Sequence, residues 1–318
     1  MRQRSLSPTE ISDRIGAHAG RASLDPNTVP TELCDREVAH VGGGDAPGFT
    51  GRCHCPAQSG KRMIKRFEVA GVPVALINMD VACEEVRRRI ADRLGGYVIF
   101  RDMNGSVLAN RDQQILAAHR DAALVVPDGM PLVWLGRSLG HKEMGRVYGP
   151  DFLLEFCHRY EDQGLRHFLY GGTDAVVEKL VIELKRLFPS LLICGRYSPP
   201  FRSINEPLCV DDIERIRAAK PDLVWVGIGS PKQELLMRMY APELPGCMLL
   251  GVGAAFDFHS KTKAQAPRWI RQSGFEWLFR LLTEPRRLGR RYLLGIPQFL
   301  WLLATRGYKA ETVHGRSP

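Results

Sequence analysis

The sequence predicts an α/β fold, a mostly parallel sheet covered by helices on both faces, with a basic helical appendage at its C-terminal end. Three observations carry that expectation. From Phe67 onward, short β-branched or apolar runs alternate with longer amphipathic stretches, the pattern of strand–helix units joined in parallel. After Asp257 the alternation stops. Beyond it positive charge collects: Phe258 to Pro318 holds 12 Lys/Arg against 3 Asp/Glu, whereas the rest of the 318 residues holds 32 of each sign. The chain therefore divides into an extension over 1–66, an α/β unit over 67–257 and a basic appendage over 258–318.

Residues 1–66 are rich in Gly, Pro, Ser, Thr and charge without a sustained period of 3.6 or 2, which predicts a disordered or weakly ordered extension. The apolar runs predict strands at Val74–Ile77, Tyr97–Phe100, Ala123–Val126, His167–Tyr170, Leu191–Cys194, Leu223–Val226 and Met248–Gly251. Between them, helical periodicity covers Ala82–Leu94, Val107–Arg120, Gly149–Gln163, Asp174–Phe188, Val210–Lys220 and Pro231–Tyr240. Past Asp257, Pro267–Pro297 is helical in pattern, with breaks expected at Pro285 and Pro297, and Leu293–Leu303 adds an apolar stretch.

Composition narrows the class. With 44% hydrophobic and 25% charged residues the chain is an ordinary globular protein. No apolar run reaches the roughly 18 residues that span a bilayer. The N-terminus has charges without an apolar stretch behind them, so no signal peptide is expected and the protein is placed in the cytoplasm. Five of the eight cysteines lie in apolar periodic segments and read as small buried hydrophobes of a reducing compartment. Cys53-His54-Cys55 lacks a second ligand pair at zinc-site spacing, so no metal site is expected.

In a parallel sheet of this kind ligands bind at the carboxyl ends of the strands, so the loops after strands should carry the chemistry. Pro127-Asp128-Gly129 follows one strand. Asp128 there is either a turn residue or a carboxylate at the mouth of the sheet, placed to take a proton from an acceptor hydroxyl. Gly171-Gly172-Thr173 is either a tight turn with Thr173 as helix cap or a backbone that approaches a phosphate. In Gly227-Ile228-Gly229-Ser230-Pro231-Lys232-Gln233-Glu234, a capping Ser230 and a first-turn Pro231 account for a helix start. They leave Lys232, Gln233 and Glu234 unexplained, and exposed amides plus Lys232 suit a diphosphate. Arg146, before a helix start, is either a surface residue or a fork for phosphate or carboxylate. In the appendage, Arg268, Arg271, Arg280, Arg286, Arg287, Arg290 and Arg291 interleave with Trp269, Phe275, Trp277 and Phe279. Cations beside aromatics suit an anionic membrane interface or nucleic acid. No nucleic-acid motif occurs elsewhere, which favours the membrane and a lipid diphosphate.

These motifs, in this order, resemble the WecG/TagA/CpsF family, glycosyltransferase family 26. The matching stretches are Pro127–Trp134, Arg146-Val147-Tyr148-Gly149-Pro150-Asp151, Gly227–Glu234, Gly251-Val252-Gly253-Ala254-Ala255-Phe256-Asp257, and Phe275–Arg280 with Glu284–Leu288. The resemblance implies a Rossmann-like α/β fold and an inverting transfer of a hexose or N-acetylhexosamine. The donor would be a UDP-sugar and the acceptor a polyprenyl-diphosphate-linked saccharide, in the making of wall, capsule or exopolysaccharide precursors. It implies Asp128 as catalytic base, Arg146 and Gln233 as pocket residues, and an appendage that attaches the enzyme to the inner face of the plasma membrane and closes the active site. Family members self-associate in some states, so a homo-oligomer is compatible. From their places in the loops after strands, Asp102, Asn104, Gly129, Gly171, Gly172, Gly229, Lys232, Glu234 and Asp257 are further candidate substrate contacts. The sequence departs from the family at the usual Thr-x-Asn, where Phe100-Arg101-Asp102 stands with Asn104 two residues on, and at a Gly and an Arg whose places are taken by Lys261 and Gln265.

The strand ends offer no Asp-x-Asp pair, since Asp211-Asp212 opens a helical stretch, so no cofactor and a metal-independent reaction are expected, with arginines and helix N-termini supplying positive charge. Two rivals are weaker. A nucleotide-binding oxidoreductase calls for a glycine-rich turn after the first strand, and Val81-Ala82-Cys83 follows Val74–Asp80 instead. A nucleic-acid-binding protein would rest on the basic tail alone.

Overall fold

A computed structural model of the chain describes residues 63–203, 208–267, 270, 274, 276–283, 285–306 and 308–312; the side chains of 280, 287, 288, 290–292, 306 and 308–312 are not described. Six strands form one parallel sheet: β3 (Gly96–Arg101), β4 (Leu124–Pro127), β5 (Arg166–Gly171), β6 (Leu192–Tyr197), β7 (Leu223–Gly227) and β8 (Met248–Gly251), in the order β4-β3-β8-β7-β5-β6. Side chains alternate between the faces with period two, and both faces are buried, as expected when helices cover a parallel sheet on each side. Tyr97, Ile99, Val125, Tyr170, Val224 and Val226 join the core shared with α2 (Met103–Arg111), α3 (Gln113–Asp121) and α8 (Lys232–Tyr240). Val98, Phe100, Val126, Leu169, Trp225 and Leu250 face α1 (Met79–Ala91), α5 (Gly149–Tyr160), α6 (Asp174–Leu187) and α9 (Ala255–His259). The expected fold class is therefore found.

The expected first strand, Val74–Ile77, is not part of this sheet. Val72–Ala75 (β2) pairs antiparallel with Arg66–Val69 (β1). Ala70 and Gly71 between them both take positive φ, 50° and 86°, the backbone twist that two-residue hairpins favour. The outer edge of β1 pairs with Tyr308–Thr312 (β9), so the last strand closes a three-stranded antiparallel sheet with the first. The expected helix Val107–Arg120 is two helices, because the Asp112 carboxylate accepts from the amides of Gln114 and Ile115 and starts α3 afresh. A helix the periodicity did not reveal, α4 (Met130–Ser138), follows Asp128, whereas the expected helix after β6 is found as α7 (Val210–Ala218).

The C-terminal segment forms α10 (Glu276–Thr283) and α11 (Pro285–Arg306). Pro285 does mark a boundary, since proline suits the first turn of a helix. Pro297 does not break α11. Phe299 and Leu302, just beyond it, are buried in the core against α2, and this packing outweighs the roughly 3 kcal/mol that an interior proline costs. The appendage is thus packed into the body and tied to it at β9. Residues 1–62 of the expected extension, including Cys53-His54-Cys55, lie outside the described residues. The five described cysteines, Cys83, Cys157, Cys194, Cys209 and Cys247, are free thiols. Among the described residues no helix is long and apolar enough to cross a membrane.

Candidate active site

Two cavities open at the carboxyl edge of the sheet, and the candidate residues divide between them. The first, of about 610 Å³, lies beyond β3 and β4. Asp102, Asn104, Asp128, Gly129 and Arg146 line it, and Glu276, Trp277, Phe299 and Leu300 of the C-terminal helices roof it. The second, of about 450 Å³, lies beyond β5 and β7, where Gly172, Lys232 and Asp257 line it with Tyr170, Phe201 and Arg202.

In the first cavity, Asp128 directly follows the end of β4. Its amide donates to the Arg101 carbonyl of β3 at 2.8 Å, which fixes the loop against the neighbouring strand. Its carboxylate accepts from the Gly149 amide, at the start of α5, at 3.3 Å. The Arg146 guanidinium donates from Nε to the Asp128 carbonyl and from Nη2 to Glu276 at 2.6 Å, and lies 4.2 Å above the Tyr148 ring. Withdrawal from water pushes the Asp128 carboxyl up to about 7; Arg146 opposes this, while Glu276 and then Asp102 add to it. The result is a carboxylate that exchanges its proton near neutrality, beside a fixed cation. Asp102 also caps α2, its carboxylate accepting from the Gly105 amide at 2.7 Å. Asn104 packs against α11, where any side chain at Gly295 would collide with its Oδ1.

In the second cavity, Thr173 caps α6 as expected, and Gly172 takes a φ of 69°. Lys232 opens α8; its ammonium sits 3.7 Å from the centre of the Phe201 ring and donates to the Arg202 carbonyl. Arg202 in turn pairs with the buried Asp212, which also accepts from the hydroxyls of Tyr170 at 2.6 Å and Tyr240 at 3.1 Å. Phe201 is 94% exposed at the rim. Asp257 pairs with Lys263 at 2.7 Å.

Several expectations need correction. Ser230 is not the cap of α8; Pro231 holds that position after a cis Ser230–Pro231 bond, and the first turn closes from the Gln233 amide to the Gly229 carbonyl at 3.0 Å. Gly171, Gly229, Gln233 and Glu234 line neither cavity. Gly171 is a glycine because β5 and β7 touch there: a Cβ would lie 2.7 Å from the Gly227 backbone. Gly229 is required by its φ of 87° rather than by a close neighbour. Gln233 is buried and donates from its amide to the Gly251 carbonyl at 2.8 Å. Glu234 is fully buried and holds Arg101. Of the appendage arginines, Arg268 and Arg271 lie outside the described residues, Arg286 is exposed, and Arg280, Arg287, Arg290 and Arg291 stand on helices whose side chains at those positions are not described. Lys261, where the family resemblance leads one to expect glycine, adopts a left-handed φ of 58°.

Sequence reasoning missed Arg101, Phe201, Arg202 and the role of Glu276. Arg101 had a signal, a charge on the inward alternation of β3; Glu276 stood inside the Phe275–Arg280 motif; Phe201 had none.

Among the described residues no group of three or more His, Cys, Asp or Glu side chains is placed to hold an ion. A carboxylate that titrates near neutrality, a forked cation and a roofed pocket suit proton removal from a hydroxyl next to an anionic group. The family model of the Glycosyl transferase WecG/TagA/CpsF family matches residues 67–312. The chain belongs to the WecG/TagA/CpsF family of glycosyltransferases. The match takes in the hairpin, the whole parallel sheet and the C-terminal helices through β9, so the appendage is part of what defines a WecG/TagA/CpsF protein. Among the similar relatives is an N-acetylglucosaminyldiphosphoundecaprenol N-acetyl-beta-D-mannosaminyltransferase of Bacillus spizizenii, 27% identical over 65% of this chain and 77% of the relative. Proteins of the same name from Bacillus subtilis and Staphylococcus aureus are 26% and 24% identical, over 73% and 75% of this chain and 88% and 92% of theirs.

Proposed function

We propose that this glycosyltransferase moves a hexose or N-acetylhexosamine from a UDP-sugar to a polyprenyl-diphosphate-linked saccharide, with inversion, at the cytoplasmic face of a membrane. The observation that carries the reading is Asp128: a carboxyl poised near 7 at the end of β4, in a cavity walled by Arg146. The names of the relatives support the acceptor class, since each acts on a diphosphoundecaprenol-linked sugar.

In this reading Asp128 takes the proton of the acceptor hydroxyl as that oxygen attacks the anomeric carbon from the face opposite the nucleotide. The bond to the diphosphate breaks in the same step, configuration inverts, and UDP departs as an anion. The nucleotide lies in the cavity beside Gly172, Lys232 and Asp257, and the sugar reaches across the end of β8 toward Asp128. Lys232 and the first-turn amides of α6 and α8 neutralise the departing diphosphate, without a metal ion. The exposed apolar side chains of the C-terminal helices, among them Leu282, Leu293 and Trp301, support docking at a lipid surface, with Arg286 near anionic headgroups.

The test is release of UDP from a panel of UDP-sugars in the presence of a short-chain polyprenyl-diphosphate saccharide. Transfer from at least one donor, unaffected by EDTA, is expected. Loss in EDTA restored by magnesium or manganese would reject the metal-free step, and no transfer from any donor would reject the reading as a whole.

A further inference from the structure

A pair of buried charges links a segment that lines one cavity to a segment that lines the other. Arg101 ends β3, and the alternation of that strand points its side chain, like Tyr97 and Ile99, toward α2, α3 and α8. It is 2% exposed, and its Nη2 donates to Oε1 of Glu234, 0% exposed, at 2.7 Å across 133 residues of sequence. Helix α2, which follows Arg101, leaves room for its guanidinium. A Cβ on Gly105 of α2 would lie 1.4 Å from the Arg101 Nη1, so the guanidinium occupies the space that any other residue would fill.

Stability does not account for the pair. Burying two charges costs several kcal/mol each, and well-packed apolar residues of similar volume do as well or better. Here the compensation is incomplete: among the described residues, Arg101 Nε and Glu234 Oε2 are buried without hydrogen-bond partners. His119, buried beside Arg101, is held uncharged, its value lowered to about 3 mainly by burial and then by the like charge of Arg101.

What the pair does have is position. The Arg101 carbonyl receives the Asp128 amide, and Asp102 next to it lines the catalytic cavity. Glu234 stands two residues after Lys232, which lines the other cavity, and one after Gln233, which is bonded to the end of β8. We propose that Arg101 and Glu234 are positioning residues that fix the distance between the Asp128 loop and the first turn of α8, so that base and diphosphate site act on one substrate. This rests on the proposed function, in which both cavities serve one transfer.

The experiment compares the parent enzyme with R101M, with Arg101→Met/Glu234→Leu, with Glu234→Gln and with Asp128→Asn, measuring melting temperature, UDP affinity, kcat and KM. R101M strands a buried carboxylate and melts lower. The apolar double variant recovers the parental melting temperature and UDP affinity within about threefold, yet its kcat stays down by up to about 10²-fold, the effect of an ångström of misplacement. Glu234→Gln, which keeps a hydrogen-bond acceptor for Arg101, retains more kcat than the double variant. A double variant with parental kcat overturns the proposal, and so does one that loses stability, UDP affinity and kcat together. Asp128→Asn separates the two claims: if it turns over normally the active-site reading fails, and if it alone is slow the positioning role fails while the active site stands.

Discussion

A carboxyl group withdrawn from water holds its proton more tightly, and in Asp128 that tightness sets the pH range over which a base can work. It must be ionised to accept a proton, so kcat/KM is expected to fall on the acid side around pH 7, where Asp128 titrates. Glu276 raises that value, so Glu276→Gln should move the acid limb to lower pH, read from the profile of kcat/KM; an unmoved limb would separate Glu276 from the base. Asp128→Asn should retain UDP binding and lose roughly 10²–10⁴-fold in kcat. The same shift has a stability sign. A carboxyl with a raised folded value stabilises the fold while protonated, fully below the unfolded value of roughly 4, and that contribution is lost as pH rises to about 7. Asp128→Asn is therefore expected to melt above the parent at pH 8 and not at pH 4. Asp128 and Arg146 were legible as residues because each stands beside a strand end or helix start. Arg101 and Glu276 carried local signals, a charge on the inward alternation of β3 and a place in the Phe275–Arg280 motif, but their roles were not legible, because their partners lie 133 and 130 residues away.

Strands and helices of the sheet were legible for the reason that strand–helix alternation is a local signal: the buried runs of β3 to β8 are short, apolar and spaced by amphipathic helices. The hairpin was not. Val72–Ala75 has the composition of a sheet strand, and only the positive φ at Ala70 and Gly71 turns it back on Arg66–Val69. Asp112 was invisible as a break because the apolar period continues across it, while its carboxylate opens a new helix. The glycine-rich loops misled in one respect. Gly171 reads as room for a phosphate, whereas the space is taken by strand β7. Gly171→Ala is therefore expected to destabilise the fold by at least roughly 1–3 kcal/mol, from a φ of 122° and a Cβ against backbone, measured by denaturant unfolding. Gly229→Ala, at φ 87° but in open space, should cost less.

Across the whole molecule, the charge asymmetry located the C-terminal segment but not its integration. The sequence suggests a tail; the structure has Phe299 and Leu302 in the main core and β9 paired with β1. Removing everything from Phe258 onward would therefore expose the core and open the first cavity, and is a poor test of membrane attachment. Surface substitutions are better. Leu293 and Trp301, 72% and 63% exposed, with Arg286, give a full-length L293E/W301S/R286E variant that should keep its melting temperature within a few degrees. Its binding to anionic vesicles should drop about tenfold or more, given roughly 1 kcal/mol per basic residue near such a surface plus the lost apolar burial. Unchanged vesicle binding would move the membrane contact elsewhere on the protein.

The pairing of β9 with β1 also sets an order of construction. Every strand of the parallel sheet and both glycine-rich loops leave the ribosome before Tyr308–Thr312, the last element of those described. The helices that cover Asp128 are anchored at their far end by that strand, so they are a span resting on two supports rather than a door on one hinge. The nascent enzyme has its floor and its base first, and the enclosure that keeps water from the base is secured only with the final strand.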